Sequence, residues 1–289
     1  MLGESLALAA AFGWVGSSIF LEKASKETGT ISVNLIRLLM AMIFLGIITF
    51  FKRGMLLPFD VSREALKFLS ISGLFGLFLG DFFLYKAYVT IGPRIVLLIM
   101  TLSPIMVSIL SFFILKENIL GLQFFGMLLT IAGIMIVILK KKSEKEFSKL
   151  GFVYAILAML GESFGIIFTR LGSEGYDSFA TIQVRTIPAI LAFVIYISLT
   201  KKWCNIKEGI VNSRGMIYIV LGTIVATLGV TALVESMKYA NVGVVSTLAS
   251  TSPILIIPIS IIFFREKVTV IEGVGALISF IGITIFFVL

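Results

Sequence analysis

Lys140-Lys141-Lys142-Ser143-Glu144-Lys145 divides the chain into two stretches that carry one pattern. Shifting the numbering by 148 brings Gly3, Gly13, Phe20, Arg37 and Ala41 onto Gly151, Gly161, Phe168, Arg185 and Ala189. Later in each stretch the shift becomes 149, and Ser103-Pro104, Glu117, Gly126 and Gly133 fall on Ser252-Pro253, Glu266, Gly275 and Gly282. The matches are scattered, so a short shared motif does not produce them. A duplicated unit does, with residues 1–139 and 151–289 as its copies and 140–150 as a basic linker.

Hydrophobic residues make up 58% of the chain and charged residues 14%, against roughly 25% charged in an ordinary soluble domain. Apolar runs of roughly 20 residues recur along it, each long enough to cross a hydrocarbon core about 30 Å thick. One soluble core cannot hide that much apolar surface. The chain therefore reads as an all-α integral membrane protein. Its first run is expected to be a retained span rather than a cleaved leader, because Met1-Leu2-Gly3-Glu4 lacks a basic start and the run has a repeat partner at 151–171. The net charge of +8 lies in short loops, which is how membrane helices are oriented, so no nucleic-acid partner is expected. Cys204 is the single cysteine and there is no histidine. Intrachain disulfides, histidine metal sites and Ser-His-Asp catalysis are thereby removed. No cofactor and no metal is expected.

Spans are predicted at 5–21, 31–51, 66–89, 93–115 and 119–139, then at 151–171, 179–200, 214–238, 244–264 and 268–288. Tight turns such as Lys116-Glu117-Asn118 and Arg265-Glu266-Lys267 join some of them, and the runs lack the alternation of a β-barrel. Five spans per copy is an odd number, so the second copy enters the membrane from the opposite side, giving inverted-topology repeats. Loops on one side carry 15 Lys and Arg and those on the other 7, which places both termini outside.

Charges within spans need a reason, since each costs about 2.5–3.5 kcal/mol at the bilayer centre on insertion scales. Arg37 and Arg185 are repeat equivalents about six residues inside their spans. They either snorkel or tie helices together, or else offer a fixed charge to an anionic substrate group. Glu162 lies mid-span, where it faces a cavity or is paired. Asp81 lies at a depth similar to Arg37 and reads equally as a salt-bridge partner. The expected pairs are Arg37 with Asp81, and Arg185 with Glu162 or Glu235. Lys86, Lys238 and Glu235 lie near span ends and read as interfacial, and Trp203 as an interfacial anchor. Trp14, Tyr85 and Tyr88 are candidates for an aromatic cavity lining. Gly13, Ser17, Gly161, Gly165, Gly76 and Gly80 form small-residue stripes that read as packing. Pro104, Pro188, Pro253 and Pro258 favour kinks, with Ser103, Thr251 and Ser252 to satisfy freed carbonyls. Gly161-Glu162-Ser163-Phe164-Gly165 spells the hydrolase elbow by coincidence, having neither strand context nor a histidine.

Gly13-Trp14, Arg37, Gly80-Asp81 with Tyr85 and Ala87, Leu102-Ser103-Pro104 and Lys116-Glu117 occur in this order. With the second-copy echoes Arg185, Ser252-Pro253 and Arg265-Glu266, the chain resembles the drug/metabolite transporter superfamily, EamA-like branch, over essentially its whole length. The resemblance implies ten helices in two inverted five-helix repeats around a cavity lined by helices 1–4 and 6–9, with 5 and 10 as scaffold. It also implies movement of small metabolites, often amino acids outward, and cytoplasmic termini, against the loop count. Helix 6 is also similar to the opening helix of the small multidrug-resistance exporters, whose membrane glutamate exchanges protons for cationic drugs. The spacing from Glu162 to Ser173 departs from that pattern by about one residue, and Trp14 holds the equivalent place in the first copy.

The expected substrate-binding set is thus Trp14, Arg37, Asp81, Tyr85, Glu162 and Arg185. The leading expectation is a secondary transporter, possible proton coupling falling to Glu162; the alternatives are an exporter of quaternary amines and an intramembrane lipid-group transferase. No nucleotide-binding Walker sequence occurs, and no clustered carboxylates for a metal–diphosphate site. Expected partners are a small-molecule substrate and the lipid bilayer, with no obligate protein partner, as monomer or homodimer. The expected location is a prokaryotic plasma membrane, crossed many times.

Overall fold

The computed structural model describes residues 2–114, 121–143, 148–236, 239, 248–249, 251–264 and 269–288, and their regular structure is entirely helical. The expected turns at 116–118 and 265–267, Lys238, Glu266 and the start of the 244–264 span lie outside them. Helices α1 (Leu2–Thr28) and α2 (Thr30–Arg53) are parted by Gly29 alone. Its φ of 80° is a conformation glycine adopts at no steric cost. α3 (Arg63–Ser72) is capped by the Ser62 hydroxyl, which accepts from the Ala65 N–H. It continues through a π-helical segment, Gly73–Gly80, into α4 (Asp81–Met100). This rod bends at Gly92 (φ 77°, ψ 155°), because the residue before Pro93 is steered out of the helical region. The bend matches the expected boundary between 89 and 93.

The expected 93–115 span is itself broken. Thr101 and Leu102 turn, with the Thr101 hydroxyl donating to the Leu98 carbonyl at 2.7 Å, and α5 (Ser103–Ile114) starts afresh. Pro104 therefore sits in a first helical turn, where its missing N–H leaves no bond unmade, rather than at a kink. The second copy turns similarly at Thr251, whose hydroxyl donates to the Leu248 carbonyl, before α11. The remaining helices are α6 (Gly121–Ser143), α7 (Lys149–Gly172), α8 (Ser178–Leu199), α9 (Trp203–Val211), α10 (Ser213–Ser236), α11 (Ser252–Phe264) and α12 (Val270–Val288). The basic linker is partly helical, since α6 runs to Ser143 and α7 begins at Lys149. α9 occupies a connection expected to be a loop; it buries Ile206 and Gly209 and exposes Trp203, Ile210 and Val211.

Six helices among the described residues are long and apolar enough to span a membrane: Leu2–Thr28, Thr30–Arg53, the kinked rod Arg63–Met100, Lys149–Gly172, Ser178–Leu199 and Ser213–Leu233. Shorter apolar helices accompany them at Ser103–Ile114, Phe124–Val137 and Val270–Ile285.

The halves interlock reciprocally. α1 packs on α10, and its counterpart α7 packs on the α3–α4 rod; α2 packs on its own counterpart α8, and α6 on α12. Every one of these pairs is antiparallel. Along α1 and α10, Gly13 meets Gly229, Leu21 meets Gly222 and Thr28 meets Gly215. Along α7 and the rod, Gly151 meets Ile91, Gly161 meets Gly80, Gly165 meets Gly76 and Gly172 meets Leu69. In α2 and α8, Lys52 reaches Asp177 and Thr49 reaches Gln183. Gly133 of α6 abuts Gly275 of α12 as Gly126 abuts Gly282, with Thr130 against Ser279 between them. Contact between equivalent residues of equivalent helices is what a two-fold relation produces. Glycine at these crossings is required by space: a Cβ on Gly161 would lie 2.9 Å from the Gly80 Cα, and one on Gly13 2.7 Å from the Gly229 Cα. Where lipid is as apolar as leucine, such close approach of backbones supplies the packing that holds helices together.

Candidate functional site

The two Gly–Gly crossings are repeat equivalents, and they differ in the residue that comes after each glycine. At the rod/α7 crossing, Gly80 is followed by Asp81 and Gly161 by Glu162; at the α1/α10 crossing, Gly13 is followed by Trp14 and Gly229 by Val230. Both acids thus belong to one crossing, halfway along α7. The π-helical segment ends there, and the Asp81 N–H bonds the Gly76 carbonyl, the i−5 contact of a widened turn. Such single-turn widenings re-aim the next residue and are common at functional positions.

Two arginines converge on the acids. Arg37 of α2 donates from Nη2 to Asp81 Oδ2, both side chains being nearly withdrawn from solvent at 12% and 15% exposure. Its guanidinium lies 5.6 Å from the Tyr85 ring centroid, and Tyr85 stands 6.0 Å from Tyr88. Tyr85 is buried. The expected Arg37–Asp81 pair is therefore present. Arg185 of α8 reaches the other flank of the rod, its Nη2 3.1 Å from where a Gly76 Cβ would stand and its carbonyl pressed on Gly73. Its charge acts on both Asp81 and Glu162. Among the described residues Arg185 makes no direct ion pair, and its buried Nε has no hydrogen-bond partner. Glu162 is half-buried, feels Asp81 and Arg185, and has no direct partner among the described residues. Glu235 is not among the charges acting on Arg185, so neither expected partner forms a direct ion pair with it, and Glu162 acts on it only through space.

Trp14 stands apart. It is half-buried on α1, and no described contact of its indole joins it to the four ions. Its neighbour Val15 packs with Leu97 and Ile256 instead. The crossing is reinforced by hydroxyls: Ser163 bonds the Met159 carbonyl at 2.7 Å and Ser103 Oγ at 3.1 Å, and Ser72 bonds the Gly165 carbonyl at 2.6 Å and Thr169 at 2.7 Å.

Sequence reading missed a second buried ion pair. Arg94, counted with the loops, is 8% exposed and donates to Glu272 Oε1 at 3.3 Å. Glu272 also accepts from the Thr269 N–H at 2.8 Å while Thr269 Oγ1 accepts from Glu272 N, a reciprocal capping box at the start of α12. Thr269-x-x-Glu272 was a readable signal for that cap. A cavity of about 10 Å³ beside the pair, lined by Ile95, Leu98 and Val137, is too small for more than one water.

Outside the spans, Asp60 joins the α2–α3 connection to the α7–α8 connection. It accepts from Arg53 at 2.5 Å and from the Tyr176 hydroxyl at 2.9 Å, and these bonds, Tyr176 foremost, hold its carboxyl below the usual value. Arg53 in turn lies 5.0 Å from the Tyr176 ring.

These features define a multi-pass helical membrane protein with two repeats and an ionic centre where they cross. Residues 1–139 and 149–288 each match the EamA-like transporter family, and the chain belongs to it. It is 26% identical to an uncharacterized transporter of Bacillus subtilis, YetK, over 68% of this chain and 59% of that protein. It is 23% identical to an uncharacterized protein of Methanocaldococcus jannaschii over 131 residues, which are 45% of this chain but 91% of that protein. That relative is thus about as long as one half of this chain. A solved crystal structure superimposes with a TM-score of 0.65 at 17% identity, over 98% of this chain and 94% of that one, a likeness of fold.

Proposed function

We propose that the protein is a secondary transporter that exports small zwitterionic metabolites such as amino acids by alternating access. In this reading the ten expected spans form inverted repeats in a prokaryotic plasma membrane, and the cavity opens between them at the rod/α7 crossing. One observation carries it: two arginines and two acids meet at a single crossing, one pair closed on itself and the other open. Arg37 and Asp81 neutralise each other. Arg185 and Glu162 keep unused hydrogen-bonding capacity, and complement a substrate carboxylate and ammonium respectively. A cation alone is disfavoured by Arg185 beside Glu162, which weighs against quaternary amines. Because Glu162 has no locked partner it is also the group able to exchange a proton, so coupling is assigned to it. The chain would act as a monomer or homodimer without an obligate partner.

Flux in proteoliposomes tests this. Amino-acid efflux is expected to respond to a pH gradient in the wild type, to lose that response in Glu162→Gln, and to fall at least tenfold in Arg185→Gln. Normal, pH-responsive flux in both variants would remove these residues from the site.

A further inference from the structure

Where α4, α7 and the end of α8 meet, two lysines share one set of rings. Lys86 Nζ lies 3.9 Å from the Phe82 centroid and 5.4 Å from that of Tyr154. Lys202 Nζ lies 5.9 Å from the Tyr196 centroid, and Tyr196 meets Phe82 edge-on at 5.3 Å. Both ammoniums and all three rings are half-buried, at the surface of the bundle. The lysines repel each other, and among the described residues no carboxylate pairs with either. An aromatic floor stabilises a cation, but it leaves two cations together uncompensated.

The backbone takes trouble to hold this arrangement. α8 ends in a Schellman motif, Lys202 N–H bonding the Ile197 carbonyl at 3.0 Å and Lys201 N–H the Ser198 carbonyl at 3.2 Å. The motif needs a left-handed residue, and Lys201 fills the position at φ 53°. At the other positive-φ positions among the described residues, Gly29, Gly54, Gly92 and Gly175, the chain uses glycine. Here it accepts a strained lysine, which adds a third ammonium to the same turn. Exposed Trp203, its Nε1–H bonded to Ser198 Oγ at 3.2 Å, comes next in the chain and marks the depth of the membrane interface. Exposed Ile195 and Leu199 of α8 offer an apolar wall on the bilayer side.

We propose that Lys86, Lys201 and Lys202 form a binding site for the phosphate of an anionic phospholipid, its acyl chains lying along Ile195 and Leu199. A phosphate between the ammoniums cancels their repulsion, and it is the anion present in quantity at that depth. A free phosphate shares the headgroup chemistry but has no use for the apolar wall.

The test is thermal unfolding of the detergent-purified full chain, titrated in parallel with short-chain phosphatidylglycerol, short-chain phosphatidylcholine and inorganic phosphate. Phosphatidylglycerol is expected to stabilise at lower concentration than phosphatidylcholine, and inorganic phosphate to do nothing. K86Q and K202Q each weaken the phosphatidylglycerol effect about fivefold, from the interaction of one lysine with an anionic surface. K201G is expected to raise the lipid-free unfolding temperature by relieving strain while weakening the lipid effect. Equal response to both lipids, or an unchanged phosphatidylglycerol response in K86Q/K202Q, overturns the proposal. Lysine-dependent stabilisation by inorganic phosphate overturns the lipid assignment in favour of a soluble anion. Should the double variant fail to fold, an unchanged lipid response in both K201G and K202Q has the same consequence. None of these readouts involves transport, so a failure here leaves the reading of the ionic centre untouched.

Discussion

Asp81 and Arg37 show what a closed ion pair does in a membrane span. Their desolvation is tolerable only while each cancels the other, so removing one partner leaves a buried charge. Asp81→Asn is expected to cost about 3–5 kcal/mol of stability, and joint replacement of Arg37 and Asp81 by Met and Leu to recover most of it. Chemical unfolding of the purified variants measures both. Asp60 behaves differently because it faces water. Its carboxyl is held below its ordinary value by Tyr176 and Arg53, so the link between the two connections contributes above the ordinary carboxylate range and is lost as pH falls through the lowered value. Tyr176 fluorescence is expected to stay constant from pH 7 to about pH 5 and to change only below about pH 4; Asp60→Asn abolishes that transition. Arg37, Asp81, Glu162 and Arg185 were legible in the sequence because a charge in an apolar run is conspicuous. Arg94 was not: it comes after Gly92-Pro93 and looks like a loop cation, and only the three-dimensional neighbourhood of α12 buries it.

Helices were legible as rods but not as faces. Periodicity marks a face only when one side is polar, and these helices are apolar all round. The glycines of α1, α7 and the rod could thus be read as packing positions, while the helix each one meets could not, and Gly229 was not singled out at all. The π-helical segment left no trace either, since Gly73-Leu74-Phe75-Gly76-Leu77-Phe78-Leu79-Gly80 reads as an ordinary apolar stretch. Gly73, Gly76 and Gly80 within it are where α7 and α8 approach most closely, contacts a single sequence does not reveal. Gly161→Ala is expected to overpack the crossing and destabilise the protein by about 1–3 kcal/mol, as is Gly13→Ala at the equivalent crossing. The two differ in consequence, since only Gly161→Ala pushes Asp81 and Glu162 apart; substrate-induced stabilisation should weaken in that variant alone.

Taken whole, the molecule is nearly two-fold in its packing and keeps that relation in Arg37 and Arg185, but not in the carboxylates of its two crossings. Were both crossings identical, the shapes opening to either side of the bilayer would be interconvertible by symmetry and equal in free energy. With both carboxylates loaded on one crossing and an indole and a valine on the other, that degeneracy is lifted, and in the proposed alternating-access cycle the empty protein is expected to rest with a preferred side open. The preference is then a property of two residues rather than of the scaffold. Exchanging them, as Trp14→Glu with Glu162→Trp, is expected to shift the resting orientation toward the opposite side. Labelling of a single reporter cysteine from each side of the vesicle, with the exposed Cys204 replaced by Ser, reads the shift, and unchanged labelling would mean the bias lies elsewhere. Duplication supplies two matching crossings; an unevenly placed pair of acids makes them distinguishable.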